Sequence, residues 1–498
     1  MKFIWTLFII LSGLALNEMP VQADELAVPP IFSDRMVVQR NKPFPIWGTG
    51  TAEGKVTVFF NGQTRTATVD QGGKWRVTFS AMNAGGPFTL MIRDETGGRL
   101  ELGQILIGDV WLCAGQSNMN FMLANDRNGP VELAQLVSLR LREFRCAMPE
   151  GAQNPENRYH SRWNNAAPPQ SSYFSAVGYF FAKRIQAEEL VPIGIIVMSC
   201  GATRAETWMN PERLKDYPDL EPLMKFWEGR MDGDLYSQPG KFFQDVVEPV
   251  APFPIRGVIW YQGESNTLPD KSGRSIKDRA EEYKSLLKGV ISSWRSAWGE
   301  TNLPFCIIQL PNYVFPAQDI QWARIRQAQL EVSREVPNTG LVVTLDCGSI
   351  GNIHPNNKQP VGERAALWAL AREYGKNKLV YSGPIIQAAN VRSNVVALSF
   401  EEIGSGLTNA MGLPLQEFEL ADVTAPDIFV PSTAVIRWDE VIVSALGVKK
   451  PYAVRYAWSD SPNVTLFNKE GFPASSFVIT VKTNHLNNSL DKIIGVTK

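Results

Sequence analysis

Short runs in which apolar and polar residues alternate fill residues 24–103, for example KVTVFF at 55–60 and KWRVTF at 74–79. Turn residues separate these runs, at Asn61-Gly62, Gly72-Gly73 and Gly85-Gly86-Pro87. Alternation with a period of two residues, interrupted by turns at this spacing, is typical of a small antiparallel sandwich. We therefore predict an N-terminal β-sandwich domain over residues 24–103.

Residues 104–375 follow a different pattern, in which continuous apolar runs alternate with helical periodicity. One helical stripe consists of Phe174, Val177, Phe181 and Ile185, and a second covers residues 283–298 and ends at Gly299. Further helices are predicted at about 318–335 and over VGERAALWALAREYG. The predicted strands lie at about residues 105–113, 193–199, 255–261, 305–310 and 340–345. Strands that alternate with helices predict an α/β domain with a mainly parallel sheet and helices on both faces.

Residues 376–498 return to short alternating runs, such as VVALSF, VIVSAL and YAVRYAW. Because each run has strand length and strand periodicity, this part of the chain is predicted to be a C-terminal β-rich region. The chain therefore divides into three predicted parts, over residues 24–103, 104–375 and 376–498.

The composition is that of an ordinary globular protein. Of the 498 residues, 44% are hydrophobic and 20% are charged, and the formal net charge is −1. Without a surplus of basic residues to neutralise phosphates, the chain is not expected to bind nucleic acid or an anionic membrane. The composition leaves the oligomeric state open.

The first residues resemble an export signal. Lys2 precedes the apolar run Phe3–Leu16, and the small residues Val21 and Ala23 precede an acidic pair. A basic start, an apolar core and a small-x-small site predict a secretory signal peptide over residues 1–23, cleaved after about Ala23. The apolar run is shorter than the roughly 20 residues of a membrane span, so we expect an exported protein, periplasmic or extracellular, without a membrane span.

The cysteines do not suggest a disulfide framework or a metal site. Five are present, without close pairing: Cys113, Cys146, Cys200, Cys306 and Cys347. Buried free thiols are the favoured interpretation, although one disulfide remains possible in an oxidising compartment. The spacing of cysteine and histidine predicts no metal.

Polar stretches follow four of the predicted strands, at the point where each strand ends. They contain Ser117, Gly201, the residues from Gln262 to Glu264, and His354. Ligand crevices of open α/β sheets lie at the carboxyl ends of the strands. We therefore expect these four loops to meet at one edge of the sheet and to form a single site.

A serine in such a turn becomes a nucleophile when a neighbouring base accepts its proton. The chain has three histidines, His160, His354 and His485. Only His354 combines a position after a predicted strand with a position before a predicted helix, so it is the expected base for Ser117.

An acyl-transfer reaction also needs donors for a developing oxyanion. Gly201 can present an unobstructed backbone N–H, and the N–H of Ser117 is a second donor. The side-chain amide of Gln262 or Asn266 is the expected third donor.

Four blocks, GQSNM, GATRAETW, WYQGESN and IHPNNKQPVGER, resemble those of the SGNH hydrolases, specifically the sialate O-acetylesterase-like carbohydrate esterases. Runs in both β-rich parts, such as IFSDRMVVQRNKPFPIWG and PYAVRYAW, extend the resemblance over nearly all of the mature chain. It implies an SGNH-type three-layer fold, with a parallel sheet between helices. It also implies removal of acetyl groups from sugar hydroxyls without metal or cofactor.

The resemblance implies Ser117 as nucleophile and His354 as base, with oxyanion donors from Ser117, Gly201 and the amide stretch that begins at Gln262. Asn118, Glu264 and Trp208 are the expected substrate-binding residues, and Trp208 is suited to stack on a sugar ring.

The chain departs from the family pattern at one position. SGNH enzymes commonly carry an aspartate three residues before the histidine, and Gly351 occupies that position. Two alternatives remain: a Ser–His dyad oriented by a backbone carbonyl, or a triad whose acid comes from elsewhere. Asp346 is the nearest candidate acid, since such a group fixes the histidine tautomer and stabilises the imidazolium.

Three other functions compete with a sialate esterase. Glu206 and Glu264 invite comparison with the carboxylate pair of a glycosidase, although holding loop backbone is the simpler role. An esterase for acetylated plant polysaccharides such as xylan, xyloglucan or pectin would use the same chemistry. A non-catalytic glycan-binding protein is disfavoured by the presence of Ser117, Gly201 and His354.

Overall fold

The structure is a computed structural model, and it describes residues 25–135, 137–152, 161–230, 234–268, 276–314, 321–393 and 395–482. The predicted signal peptide, His160 and His485 lie outside these residues.

The N-terminal part is built from strands with clear alternation of buried and exposed residues. In KWRVTF every second side chain is buried, because one face of the strand packs on the core. The strands are β1 Val37–Gln39, β2 Phe44–Thr49, β3 Lys55–Phe60, β4 Gln63–Thr68, β5 Lys74–Phe79, β6 Gly85–Asp94 and β7 Arg99–Gly115. β2 pairs with β5, while β3 pairs with β4 and β6, and β6 pairs with β7, all antiparallel.

The central sheet continues from the second half of β7. Its other strands are β8 Ser138–Arg145, β9 Trp163–Ala166, β10 Ile193–Ser199, β11 Gly257–Tyr261, β12 Phe305–Ile308 and β13 Thr339–Val342. The order is β13-β12-β11-β7-β10-β8-β9, and all neighbours are parallel except the β8–β9 pair. The predicted α/β domain with a mainly parallel sheet is confirmed.

Seven α-helices accompany these strands in the described part of the chain: α1 Ser117–Asn120, α2 Gly129–Gln135, α3 Ala176–Glu189, α4 Glu221–Trp227, α5 Ile276–Trp298, α6 Gln321–Glu335 and α7 Gln359–Glu373. Alternate residues of β7 enter different cores. Trp111 and Cys113 join the apolar cluster formed with α3 and α7, whereas Leu112 joins the cluster formed with α5 and α6. Helices α3 and α7 therefore contact one set of β7 side chains and helices α5 and α6 the alternate set, as expected for a strand without polar alternation.

The C-terminal part contains two four-stranded antiparallel sheets. Their orders are β14-β15-β20-β19 and β18-β17-β21-β23, and β16 pairs with β22. The strands are β14 Ile385–Arg392, β15 Val395–Glu401, β16 Leu407–Asn409, β17 Phe418–Asp422, β18 Ala425–Pro431, β19 Thr433–Arg437, β20 Glu440–Ser444, β21 Pro451–Tyr456, β22 Leu466–Asn468 and β23 Phe477–Thr480. The predicted C-terminal β region is present.

The long strand β7 crosses the predicted boundary at residues 103 and 104 without interruption. Its first half pairs with β6, and its second half pairs with β10 and β11. The N-terminal sheet and the central sheet are therefore joined through shared backbone hydrogen bonds, rather than through a linker.

All five cysteines are buried and free in the structure. Burial raises the pKa of the Cys200 thiol to about 12 and that of Cys347 to about 12. These thiols are consequently protonated at neutral pH and pack as small apolar groups. Within the described ranges, no cluster of histidine, cysteine, aspartate and glutamate has the arrangement that a metal ion needs. No helix among the described residues is long and apolar enough to cross a membrane.

Candidate active site

The turn that carries Ser117 depends on a glycine at its first position. Gly115 has a φ of +135°, and a Cβ there would lie 2.0 Å from the carbonyl oxygen of Tyr261. Hydrogen bonds from Gln116 N to Tyr261 O (3.1 Å) and from Cys200 N to Gly115 O (3.1 Å) hold the turn against both neighbouring strands. Ser117 is therefore presented at the carboxyl edge of the sheet, at the start of α1.

The structure brings Ser117 and His354 into direct contact. His354 Nε2 lies 2.7 Å from Ser117 Oγ. The imidazole is half-buried, and the backbone N–H of His354 donates to Asn352 Oδ1 at 2.9 Å. Burial and the nearby charge of Lys358 lower the pKa of His354 below its ordinary value. The ring is therefore neutral at neutral pH and can accept a proton from the hydroxyl.

Gly201 lies directly beside the serine. A Cβ on Gly201 would lie 3.6 Å from Ser117 Cβ. Among the described residues, neither the N–H of Ser117 nor that of Gly201 donates to an acceptor. Two unused backbone donors next to a serine hydroxyl are the arrangement that can receive an oxyanion.

These groups border one cavity of about 480 Å³. Its lining residues are Gln116, Ser117, Gly201, Ala202, Tyr236, Glu264, Ser265, Leu268, Ile353 and His354. The four predicted loops therefore meet at one site, as their positions at strand ends require.

The expected roles of Gln262 and Asn266 as oxyanion donors conflict with their contacts. Gln262 is fully buried, and its Nε2 donates to Thr203 O (3.1 Å) and to Asn266 Oδ1 (2.8 Å). Asn266 Nδ2 donates to Glu206 Oε2 at 2.9 Å. Both amides are thus occupied in joining the loops after β10 and β11. Gln262 has used both of its amide N–H groups, and neither Gln262 nor Asn266 is among the residues that line the cavity, so their expected role as oxyanion donors is not supported.

The same network changes the interpretation of Glu206. The Glu206 carboxylate is buried and accepts from Asn266, while Glu264 is joined to Asn118. Each carboxylate has an internal partner, so the contacts favour loop-holding roles over a glycosidase pair.

Asp346 does not contact the imidazole. Its oxygens accept from Arg364 Nη1 at 2.7 Å and from Arg364 Nη2 at 2.6 Å. Arg364 also donates to Val343 O at 2.9 Å, so the pair fastens α7 to the end of β13. Since no described residue accepts a hydrogen bond from His354 Nδ1, the expectation that Asp346 orients the histidine is not supported.

Trp208 is fully buried, which contradicts its expected stacking on a sugar. Its ring packs against Phe242, Trp260 and Trp294, at centroid distances of 4.9, 6.3 and 6.4 Å. The aromatic residue in this block belongs to the core under α5. The sequence spacing did not distinguish a core tryptophan from a surface one.

Asn118 also makes internal contacts instead of facing the cavity. It is fully buried, and its Nδ2 donates to Glu264 Oε1 (2.5 Å) and to Ile353 O (3.0 Å). Its Oδ1 accepts from Lys358 Nζ. Glu264 borders the cavity, although the residue is almost entirely buried. Direct contact of Asn118 with a substrate is therefore incompatible with its position.

Sequence reasoning missed Lys358 and Gln116. Lys358 lies in the IHPNNK block, but nothing in that block indicates that its ammonium group is completely buried. Gln116 Oε1 accepts from Ser265 N at 3.3 Å and from Gly263 N at 3.4 Å, which joins the serine turn to the loop after β11. Both residues lie near predicted site residues along the chain. This proximity was the feature of the sequence that could have indicated them as part of the site.

Comparison with known proteins gives the class first. The pattern of the family described as "Carbohydrate esterase, sialic acid-specific acetylesterase" matches residues 107–367. The protein is thus an esterase, and it acts on acetylated sugars.

The chain belongs to that family of carbohydrate esterases. It is 26% identical to the sialate O-acetylesterase of Rattus norvegicus, over 74% of this chain and 78% of the relative. The Homo sapiens sialate O-acetylesterase is 28% identical, over 68% of this chain and 69% of the relative.

A solved structure resembles the protein over most of its length. It is described as XAC1771, a novel carbohydrate acetylesterase from Xanthomonas citri, and it is 34% identical to this chain. The TM-score is 0.81, with 91% of this chain and 99% of that chain covered. The likeness therefore extends into the N-terminal and C-terminal β-rich parts of the chain.

Proposed function

We propose that the protein is an exported carbohydrate O-acetylesterase of SGNH-type three-layer fold, in which Ser117 is the nucleophile and His354 is the base. The observation that carries this proposal is the 2.7 Å contact between Ser117 Oγ and His354 Nε2. The unused N–H groups of Ser117 and Gly201 support it, because they border the same cavity.

In the first step, Ser117 Oγ attacks the acetyl carbonyl carbon while His354 Nε2 accepts the hydroxyl proton. The carbonyl oxygen becomes an oxyanion and receives hydrogen bonds from the N–H groups of Ser117 and Gly201. The intermediate collapses when the bond from the carbonyl carbon to the sugar oxygen breaks. His354 returns its proton to that oxygen, so the free sugar hydroxyl leaves and an acetyl-serine remains.

In the second step, water reverses the sequence. His354 accepts a proton from the water as the water oxygen attacks the acetyl carbon. Collapse of the second oxyanion breaks the bond to Ser117 Oγ, which regains its proton from His354. One acetate is released for each water consumed, and the protons balance between serine, histidine, water and sugar.

The substrate of this proposal is an acetylated sugar of the sialate type. Support comes from the family to which the chain belongs and from the size of the cavity, about 480 Å³, which is in the range of small-molecule sites. Acetylated plant polysaccharide is the alternative substrate for the same machinery, and a substrate panel separates the two.

Export is proposed from residues 1–23. Expression of the full chain in a bacterial host, followed by N-terminal sequencing of the periplasmic fraction, should give a chain that starts at about Asp24. Retention of the intact N-terminus in the cytoplasmic fraction would contradict export.

The mechanism is tested with Ser117→Ala, which should lower kcat by at least about 10³-fold. Ser292→Ala is the matched control, because Ser292 is also half-buried but lies on α5 and only donates to Gly289 O at 3.1 Å. A serine-directed phosphonate should label the native protein and the control but not Ser117→Ala. Labelling or full acetate release by Ser117→Ala would contradict the mechanism.

Substrate class is read from acetate release by the native protein on acetylated sialic acids, acetylated xylo-oligosaccharides, xyloglucan and pectin. The proposal expects the highest kcat/KM on the sialic acids. Preference for any of the polysaccharides would replace the sialate assignment while leaving the serine mechanism in place.

A further inference from the structure

Next to the serine and the histidine, three polar side chains form a bridge that is almost entirely buried. Lys358 and Asn118 are fully buried, and Glu264 is 1% exposed. Lys358 Nζ donates to Asn118 Oδ1, and Asn118 Nδ2 donates to Glu264 Oε1. We refer to Lys358, Asn118 and Glu264 as the buried bridge.

The chemistry of the two ends fixes the orientation of the amide in the middle. An ammonium group only donates hydrogen bonds, so the oxygen of Asn118 must face Lys358. A carboxylate accepts, so the nitrogen of Asn118 must face Glu264. That nitrogen also donates to Ile353 O at 3.0 Å, and a backbone carbonyl can only accept. All three contacts thus require the same orientation of the Asn118 amide.

This orientation connects the bridge to the histidine loop on both sides of His354. Ile353, the residue before the histidine, is held by Asn118 Nδ2. Lys358, which follows it, is held by Asn118 Oδ1 and by its own N–H, which donates to Asp126 Oδ2 at 2.7 Å. Asn118 itself is the residue after Ser117. One amide therefore relates the position of the serine to that of the histidine.

We propose that the buried bridge positions His354 against Ser117 and replaces an orienting carboxylate, which no described residue supplies. The inference rests on the proposed serine mechanism. Two observations favour it over a triad: Asp346 is paired with Arg364, and no described residue accepts from His354 Nδ1. Lys358, Asn118 and Glu264 act on the histidine through backbone and charge, so they are positioning residues.

The bridge also affects the charge state of the imidazole. The Lys358 ammonium disfavours a second positive charge nearby, which lowers the pKa of His354 in addition to the effect of burial. Burial lowers the pKa of Lys358 itself to about 7, against the opposing effects of Glu264, Cys347 and Asp126. Lys358 is consequently protonated over the acidic range in which His354 titrates.

Two aromatic rings also lie near Lys358 Nζ. The ring centroids of Phe121 and Tyr261 lie 5.0 and 5.5 Å from the ammonium nitrogen. Burial also raises the pKa of Glu264, whereas the hydrogen bond from Asn118 and the charge of Lys358 act to lower it. An amine or an ammonium can donate to Asn118, and either form of the carboxyl group can accept at Oε1. The hydrogen bonds of the bridge therefore persist when a proton moves from the Lys358 ammonium group to the Glu264 carboxylate.

The first test exchanges the polarity of the bridge. Asn118→Asp places an oxygen where the nitrogen donates to Glu264 and Ile353, and it should lower kcat about 10²-fold by displacing the histidine. The double variant Asn118→Asp with Glu264→Gln again pairs a donor with an acceptor at the same net charge. It should recover at least about tenfold of the lost kcat, although the bond to Ile353 stays broken.

The matched control is Asn468→Asp, which makes the same change at a fully buried asparagine in the C-terminal part. Asn468 Nδ2 donates to Ser382 O at 2.9 Å, and its Oδ1 accepts from Phe472 N at 2.9 Å. This variant should lower the Tm and keep the native kcat. Equal kcat values for Asn118→Asp and the control, or no recovery in the double variant, would overturn the proposal.

A second measurement does not depend on activity. The chain contains three histidines, so their imidazole signals can be followed individually by NMR, with His354→Gln as the assignment variant. Lys358→Met removes the charge but keeps an unbranched side chain, and it should raise the pKa of His354. An unchanged or lower His354 pKa in a folded Lys358→Met protein would overturn the electrostatic part of the proposal.

The two proposals can fail separately. If the native protein releases no acetate from any acetyl ester, the proposed function is wrong, whatever the NMR titration gives. If the native protein is active but Asn118→Asp changes kcat no more than Asn468→Asp does, the serine mechanism stands and the bridge has no positioning role.

Discussion

Asp346 and Arg364 form a two-point ion pair, with oxygen–nitrogen distances of 2.7 and 2.6 Å. Both carboxylate oxygens of Asp346 are held by Arg364, so Asp346 does not act as the orienting acid of His354. Both residues lie near the catalytic loop in sequence, and an aspartate at a strand end is a natural candidate for the acid of a triad. The guanidinium takes both carboxylate oxygens, because its fork of donors matches a carboxylate.

Replacement of this aspartate therefore tests the choice between dyad and triad. Asp346→Asn should change kcat less than about threefold, whereas loss of an orienting acid of a triad costs about 10⁴-fold. The free energy of unfolding should fall by roughly 1 kcal/mol, because the pair with Arg364 is weakened but partly open to water. Steady-state kinetics and denaturant unfolding measure the two effects. If a folded Asp346→Asn protein lost about a hundredfold or more of the native turnover rate, the carboxylate would return to the mechanism.

The lowered pKa of His354 sets the acidic limit of activity. The base works only as neutral imidazole, so kcat/KM should fall as the pH drops through this pKa. Since burial and Lys358 place it below the ordinary value of 6.5, half of the maximal kcat/KM should remain at a pH below 6.5. A pH profile of acetate release checks this. An acidic limb centred above about pH 7 would contradict the assignment.

Gly115 should tolerate no side chain. A Cβ at this position would overlap the Tyr261 carbonyl oxygen at 2.0 Å, and φ is +135°. Gly115→Ala should therefore lower the free energy of unfolding by about 3 kcal/mol and displace Ser117. Thermal unfolding and phosphonate labelling should decrease together. The comparison variant is Gly97→Ala, which also has a positive φ but meets no atom within 4 Å of the added Cβ. If Gly115→Ala matched Gly97→Ala in stability and labelling, the argument from close approach would be wrong.

Trp208 should contribute to folding and not to sugar binding. Because its ring is fully buried among Phe242, Trp260 and Trp294, Trp208→Ala should cost about 3–5 kcal/mol of folding free energy. Urea unfolding measures this loss. At a temperature where the variant is still folded, KM should stay near the native value. A large rise in KM with unchanged stability would restore the stacking role.

Most elements of the central sheet followed from the pattern of apolar residues. The strand predicted at 193–199 has those bounds in the structure, and the helix with the stripe Tyr283–Trp298 forms α5. The strand was predicted from an unbroken apolar run of strand length, and the helix from a long stripe with helical periodicity. β7 was predicted at about 105–113 but extends over Arg99–Gly115, because it pairs with β6 at one end and with β10 and β11 at the other.

The roles of individual side chains were predicted less completely than the elements of the sheet. Ser117, Gly201 and His354 were predicted together because each follows a parallel strand, and strand direction alone brings such loops to one edge. Gln262, Asn266 and Trp208 occupy similar positions in sequence, yet Gln262 and Asn266 are buried and hydrogen-bonded within the loops, and Trp208 is buried in the aromatic core. Residue type and spacing do not report which way a side chain points from a short turn.

The order of apolar and polar residues was sufficient for the α/β sheet, the β-rich parts and the loops that would form a site. Which polar groups remained free for chemistry was decided only by the tertiary structure. A buried polar atom must find a partner when it leaves water, and in this fold the partners of Asn118 and Asn266 come from Lys358 and Glu206, while the partly exposed Asp346 pairs with Arg364. In each pair, at least 18 positions separate the partners along the chain, so hydrogen bonds that form on folding determine which groups face the substrate.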